Sequence, residues 1–484
     1  MTSRISLNWI AIGLPLALAC APAHTRTPTA DLAIAHVAVV DVEAGRVLTD
    51  RTVLISGDRI VTIDSSRRSA ARVVDGAGKY LMPGLWDMHV HALRNARAPR
   101  MFPLFVATGV LGIRDTGSPL DSLVYYRREV ASGRLLGPRV VGSGPLLDGP
   151  HGQWPDFTVS ITSPAEARRA VDSLAEGGAD FVKVYDRLPR DAYFAVARRA
   201  RERRLPIAGH VPEAVTPVEA SDSGMRSIEH LTVAPSCIPR LQSLIQQYMS
   251  YGRPGLSADS MANLRRELSL HIEAAYDESA CRSAGARLAR NGTWLDPTLG
   301  RERTWSRAYL AGYEAGADSN LRFVPAAVRA NWSRWRDSIV ASRSPKDELE
   351  EANRYQLYLR IVRALRAAGV GILAGTDTDE NDAYFYGVPG YTLHTELEIF
   401  VSDLGFTPAE ALRTATIDAA RFLGVADSIG TVAPGKRAEL VLVDANPLED
   451  VRNARRVRAV VRGGRLFDRA ALDSMLAKLA ASVK

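Results

Sequence analysis

Lysine is scarce in this chain: of 61 basic residues only six are lysine, and the rest are arginine. The arginines are scattered and do not form tracts interleaved with aromatics. The net charge of +7 therefore describes a solvated, arginine-rich surface and argues against nucleic-acid binding. Cysteine is scarcer still, with three. With Cys20 set aside, at most one internal disulfide is available, Cys237 with Cys281, and two buried free thiols are the alternative. The chain also lacks a long apolar run, because the stretch from Trp9 to Ala19 is too short to span a bilayer comfortably.

That short stretch follows Arg4 and reads as a secretory signal over residues 1–23. Ala17-Leu18-Ala19-Cys20 is similar to a bacterial lipobox, with Ala17 where leucine is usual. Cys20 would then carry a lipid anchor; ordinary cleavage near Ala19 or Ala23 is the other outcome. Both outcomes predict an exported, periplasmic or envelope protein, in which a Cys237–Cys281 disulfide is permitted.

With 46% hydrophobic and 24% charged residues over 484 positions, a large buried core is feasible. After a Pro/Thr/Ala-rich tether, residues 31–80 carry short strand patterns separated by Gly and Asp turns. From residue 81 onward, buried strand-like runs alternate with Ala/Arg/Glu-rich helical stretches. Eight strands are predicted: Leu85 to His91, Gly109 to Asp115, Val140 to Leu146, Phe181 to Tyr185, Pro206 to Val211, Ser227 to Leu231, Thr293 to Thr298 and Ile372 to Asp377. Eight parallel strands close an α/β (β/α)8 TIM barrel, here over 81–424. Helical insertions near 235–290 and 300–353 are expected over its mouth. Strand signals return over 425–470 and complete a small β-sandwich with 31–80.

Chemistry concentrates at the ends of the predicted strands. Side chains at i and i+2 of a strand share a face, so Asp87, His89 and His91 point one way and Trp86, Met88 and Val90 the other. Two histidines at that spacing can converge on one ion. Lys183, His210, His230 and Asp377 each close a separate predicted strand. A lysine inside a buried strand is costly unless paired or neutral, and a salt bridge to Asp186 or Asp115 is the plain structural alternative. Arg114 and Asp115 read as an ion pair across the mouth. Tyr185 shares the inward face with Lys183, while His151 and His394 are candidate substrate contacts.

Met82-Pro83-Gly84-Leu85-Trp86-Asp87-Met88-His89-Val90-His91 resembles the opening signature of the metal-dependent amidohydrolase superfamily. Phe181-Val182-Lys183-Val184-Tyr185, Ala208-Gly209-His210, Ile228-Glu229-His230 and Ala374-Gly375-Thr376-Asp377 follow in that family's order. The local flavour is closest to imidazolonepropionase-like and dipeptidase-like members. The resemblance implies two divalent metal ions, zinc first, with manganese, cobalt or iron as alternatives. His89, His91 and Asp377 would hold the more buried ion, His210 and His230 the more exposed one, and a carboxylated Lys183 would bridge them. It further implies hydrolysis of an amide C–N bond in a peptide-like or N-acyl small molecule by a metal-bridging hydroxide, with Asp377 as the proton-transferring residue. Two other readings stand beside it. One is single-metal deamination of a heterocycle using Glu213 of His210-Val211-Pro212-Glu213; the other is a non-catalytic envelope protein that keeps the fold.

Overall fold

The computed structural model describes residues 30–65, 70–94, 97–150, 152, 154–241, 243, 275–308, 318–379 and 386–483. The expected signal segment with Cys20, and His151, lie outside the described residues, as do 244–274 and 309–317 of the two expected insertions.

Two distant stretches of chain share one mixed eight-stranded sheet. Its order is Arg465–Asp468, Val457–Arg462, Leu440–Val443, Tyr80–Pro83, Ala30–Asp41, Arg46–Ser56 and Arg59–Asp64, with Ala70–Asp75 also paired to Ala30–Asp41. Seven of the strands thus follow one hydrogen-bonded path, and Ala70–Asp75 branches from it. Period-two alternation turns Leu32 and Ile34 inward; a register shift at His36, whose φ is 55°, then brings Val37 and Val39 to the same face. Leu440, Leu442, Ala459 and Val461 complete that apolar cluster from the other end of the chain.

Between these stretches, parallel strands alternate with helices. Leu85–Val90, Val110–Asp115 and Arg139–Gly142 pair in that order. Thr158–Ser160, Leu146–Asp148, Val182–Val184, Ile207–Gly209, Met225–Glu229 and Trp294–Asp296 form a second parallel set. The expected third strand, Val140 to Leu146, is cut in two. Gly144 adopts φ 69° and Pro145 has no N–H to give a ladder, so pairing stops at Gly142 and resumes at Leu146.

The expected eighth strand is a run of bridges and not a regular strand. Leu295 N–H donates to Gly371 O and Leu373 N–H to Leu295 O, both at 2.9 Å. On the other side Met88 N–H donates to Ala374 O at 2.9 Å and Asp377 N–H to His89 O at 2.7 Å. Asp377 leaves extended geometry with φ 55°, which ends the ladder where its carboxylate is needed.

The helices show ordinary sequence logic. Ser163 caps Pro164–Glu176 by accepting from Glu166 N–H, and Ala167, Ala170, Val171 and Leu174 form its buried stripe. Pro345–Ala367 begins at a Ser344/Asp347 capping box inside the expected insertion 300–353 and runs well past its end, so it joins insertion and outer helix in one element. Cys237 and Cys281 are disulfide-bonded, tying the turn after Met225–Glu229 to the helix Glu278–Asn291.

Candidate metal centre

The site is assembled from strand ends. His89 lies near the end of Leu85–Val90, and His91 follows that strand by one residue. His210 and His230 come immediately after Ile207–Gly209 and Met225–Glu229, and Lys183 is the middle residue of Val182–Val184. Gly209 must be glycine here: a Cβ would stand 2.2 Å from Val184 O and 3.1 Å from Lys183 Cδ, the path the lysine follows.

Three imidazoles turn Nε2 toward one carboxylate. His89 and His91 Nε2 lie 3.3 and 3.2 Å from Asp377 Oδ1, and His230 Nε2 lies 3.8 Å from Oδ2. His210 is edge-on to His230, with ring centroids 4.9 Å apart. The opposite nitrogen of each ring is engaged elsewhere. His89 Nδ1–H donates to Glu229 Oε2 at 2.8 Å, His91 Nδ1–H to Gly117 O at 3.2 Å and His210 Nδ1–H to Asp186 Oδ1 at 2.8 Å. His230 Nδ1 meets Thr298 Oγ1 at 2.7 Å. With Nδ1 held in this way, each ring is oriented and its Nε2 lone pair is directed inward, the arrangement that metal-binding histidines use.

Electrostatics agree with the geometry. Burial lowers the pKa of His89 and takes that of His230 well below its ordinary value, which keeps both rings neutral. Burial would push the Asp377 carboxyl up, but His230 and Arg301 hold it well below the carboxylate range. Arg301 Nη1 donates to Asp377 Oδ2 at 2.9 Å. Lys183 is 1% exposed and its amine pKa is lowered, first by burial, with Glu229 and Asp377 opposing. Among the described residues it forms no salt bridge with Asp186 or Asp115. Asp186 holds His210, and Asp115 accepts Ala92 and Leu93 N–H at 2.8 and 3.1 Å.

The residues fit a divalent cation. His89 Nε2 is buried with no hydrogen-bond partner, and His89, His91 and Asp377 offer ligand atoms within 4.8 Å of one another. Of six non-glycine residues with positive φ among the described residues, three, His230, Thr298 and Asp377, stand here. A β-branched threonine at φ 46° is the clearest departure, and such strain concentrates at functional positions.

Several sequence expectations are corrected. Arg114 does not pair with Asp115. It runs beneath the site, donating through Nε to Met88 O at 2.5 Å, through Nη1 to Ser227 Oγ at 2.9 Å and through Nη2 to Glu229. Asp87 turns to Thr376, whose hydroxyl donates to it at 2.8 Å. His394 is away from the imidazoles: it is buried on Tyr391–Ser402, its Nε2–H donates to Thr108 O at 2.9 Å, and burial lowers its pKa to about 4. Thr108 precedes the strand Val110–Asp115, at the end opposite Asp115, so His394 is a packing residue. Glu229, Thr298 and Arg301 were not singled out from sequence, although Glu229 lies within a predicted strand and Thr298 at the end of another; Asp186 was named only as a partner for Lys183.

Residues 80–467 match the amidohydrolase family. The chain belongs to that family and is a hydrolase acting on carbon–nitrogen bonds. Ochratoxinase of Aspergillus niger is 24% identical over 455 residues, a match that covers 80% of this chain and 75% of the relative. Among solved structures, a bottromycin amidohydrolase superposes with TM-score 0.70 at 22% identity, covering 93% of this chain and 90% of that one. A Xaa-Pro dipeptidase with methionine bound in its active site superposes with TM-score 0.63 at 18% identity, covering 90% and 99%. These neighbours give the chain a TIM-barrel-like α/β fold.

Proposed function

We propose that this chain is a binuclear amide hydrolase for a peptide-like or N-acyl small molecule, with His89, His91, Lys183, His210, His230 and Asp377 holding two divalent ions, zinc first. The observation that carries the reading is the convergence of His89, His91 and His230 Nε2 on Asp377 while Nδ1 of all four imidazoles is held elsewhere. Backbone bridges from 371–378 to strands on both sides support a closed eight-stranded barrel around them.

Lys183 completes the set as a carbamate. Its burial favours the neutral amine, the form that takes up carbon dioxide, and the resulting anion removes the cost of a lone ammonium beside Arg114. When bound, the ions supply Lewis-acid polarisation of the carbonyl and a water of lowered pKa. Asp377 takes the proton of the attacking water at a carboxylate oxygen and returns it to the departing amine. Burial keeps Tyr185 a neutral phenol by raising its pKa, and its oxygen already accepts from Trp154 Nε1–H at 3.2 Å. Its own proton is then directed to the carbonyl oxygen as charge develops.

The Cys237–Cys281 disulfide supports reading the chain as exported. The deaminase alternative draws no support from Glu213, because the partner of His210 is Asp186. The test is a metal-loaded screen of dipeptides and N-acyl amino acids, with lactones and aminated heterocycles as controls. Amide cleavage that is lost to chelator and restored by zinc, with two metals per chain, is the expected result. Full activity without metal, or deamination with one metal, defeats the proposal.

A further inference from the structure

One side of the site is a continuous set of rings. Tyr185 stacks on His210, with centroids 4.0 Å apart and planes inclined at 27°. Trp154 donates its N–H to the Tyr185 hydroxyl and stacks on Phe157, 6.0 Å away at 29°. Phe157 in turn faces His91 at 6.4 Å. The Arg94 guanidinium lies 3.9 Å from the Phe157 centroid, and Asp379 holds it through a 2.8 Å bond. The arc thus runs from one metal-side imidazole to another.

Its chemistry is one-sided. Phe157 is buried between Trp154 and Arg94, which also lies 5.2 Å from the Trp154 centroid, and the single donor of Trp154 is spent on Tyr185, so what Trp154 presents is apolar ring surface. Trp154 and Tyr185 are only half-buried, unlike Phe157, so the wall is open along part of its length. Arg301, bonded to Asp377, is the charged group beside the Tyr185 end of the wall. A saturated, polar acyl chain would use none of this surface, whereas a flat apolar group would cover it.

We infer that Trp154, backed by Phe157, is a specificity residue for an amide bearing an aromatic or other planar apolar group on its acyl side, laid against this wall while the scissile bond sits among the histidines. The inference rests on the amide-hydrolysis reading for the bond cleaved, but not for the wall itself.

The test compares benzoylglycine and 2-naphthoylglycine with cyclohexanecarbonylglycine, which matches benzoyl in size but has no ring face, on the metal-loaded enzyme. Aryl substrates should show the higher kcat/KM. Trp154→Leu should lower the aryl-to-cyclohexyl ratio about tenfold at unchanged metal content, the order of effect that ring contacts carry. Trp154→Phe should keep the ratio, which a role exerted only through Nε1 on Tyr185 would not allow. Equal rates for aryl and cyclohexyl substrates, or a ratio unmoved by Trp154→Leu, overturn the wall and leave amide hydrolysis standing. If no amide is cleaved, calorimetric titration with 2-naphthoylglycine decides: binding weakened about tenfold by Trp154→Leu keeps the wall and removes the hydrolysis reading, and absence of binding overturns both.

Discussion

Arg114 and Glu229, on two of the parallel strands, are joined by two hydrogen bonds, from Nη2 to Oε1 at 2.8 Å and to Oε2 at 2.9 Å, and both residues are at most 1% exposed. Burial alone would raise the Glu229 pKa, but Arg114 and His89 hold it well below the ordinary range. Glu229 is therefore a fixed anion that orients His89. In Glu229→Gln the ring loses that charged acceptor, and metal affinity should fall about 10–100-fold, read by chelator competition. Glu229→Ala leaves the Arg114 charge buried and unpaired and should cost about 3–5 kcal/mol in urea unfolding. Wild-type metal affinity in Glu229→Gln would show that the pair is structural only.

Lys183→Met keeps the buried aliphatic stem and removes the amine. If the stem packs and the amine binds, the metal-free variant should keep the unfolding midpoint of the metal-free parent but lose metal uptake and amide hydrolysis together. Elemental analysis and a thermal melt separate the two effects. A ¹³C-bicarbonate label should give a carbamate resonance in the parent and none in the variant. A variant that retains both metals removes Lys183 from the ligand set.

The sequence was most legible where side-chain direction follows from strand period. His89 and His91 at i and i+2 face Asp377 together because a strand admits little else. It was least legible where direction depends on a single dihedral. Asp87 shares that predicted face yet turns to Thr376, and no spacing rule separates it from His89. Arg114 was placed on the correct strand but given the wrong partner, because adjacent residues in a strand point to opposite sides and Asp115 could not meet it. Arg301 lies in the first turn of the helix Leu299–Ala308, which starts directly after Thr298 and its positive φ, and reaches Asp377 from there. Nothing in local composition announces that bend. The split at Gly144-Pro145 was readable, since proline cannot continue a central ladder.

The disulfide between Cys237 and Cys281 closes a loop with a sequence separation of 44. A cross-link of that span constrains the unfolded chain by about 4 kcal/mol in the chain-entropy description. Reduction, or Cys281→Ser, should lower the urea midpoint accordingly, while oxidised mature protein should show no thiol reactivity from either residue when unfolded. Two reactive thiols in unreduced, unfolded protein would contradict the bond and weaken the case for export.

Glu396 gives the pH dependence. It is fully buried on Tyr391–Ser402 and accepts Leu299 N–H at 2.8 Å and Gly300 N–H at 2.5 Å, anchoring the turn that carries Thr298 and Arg301. Burial pushes its carboxyl up from 4.5 to about 8, and the two backbone donors only partly offset this. The folded chain thus holds a proton that the unfolded chain releases near 4.5. The resulting stability is complete below that value and is lost as pH rises through about 8, with a slope of at most about 1.4 kcal/mol per unit. Glu396→Gln cannot ionise, but its amide cannot accept from both N–H groups, so it should be less stable than the parent at pH 5 by about 1–3 kcal/mol. The gap should narrow as the parent ionises. Urea unfolding at pH 5, 6.5 and 8 measures it. Asp87, also raised by burial, to about 7, acts on Glu396 and so titrates differently in the two proteins, which makes the narrowing a property of the pair. Parallel stability curves for the two proteins across that range would mean that Glu396 is already ionised in the folded chain, with the helix amides outweighing its burial.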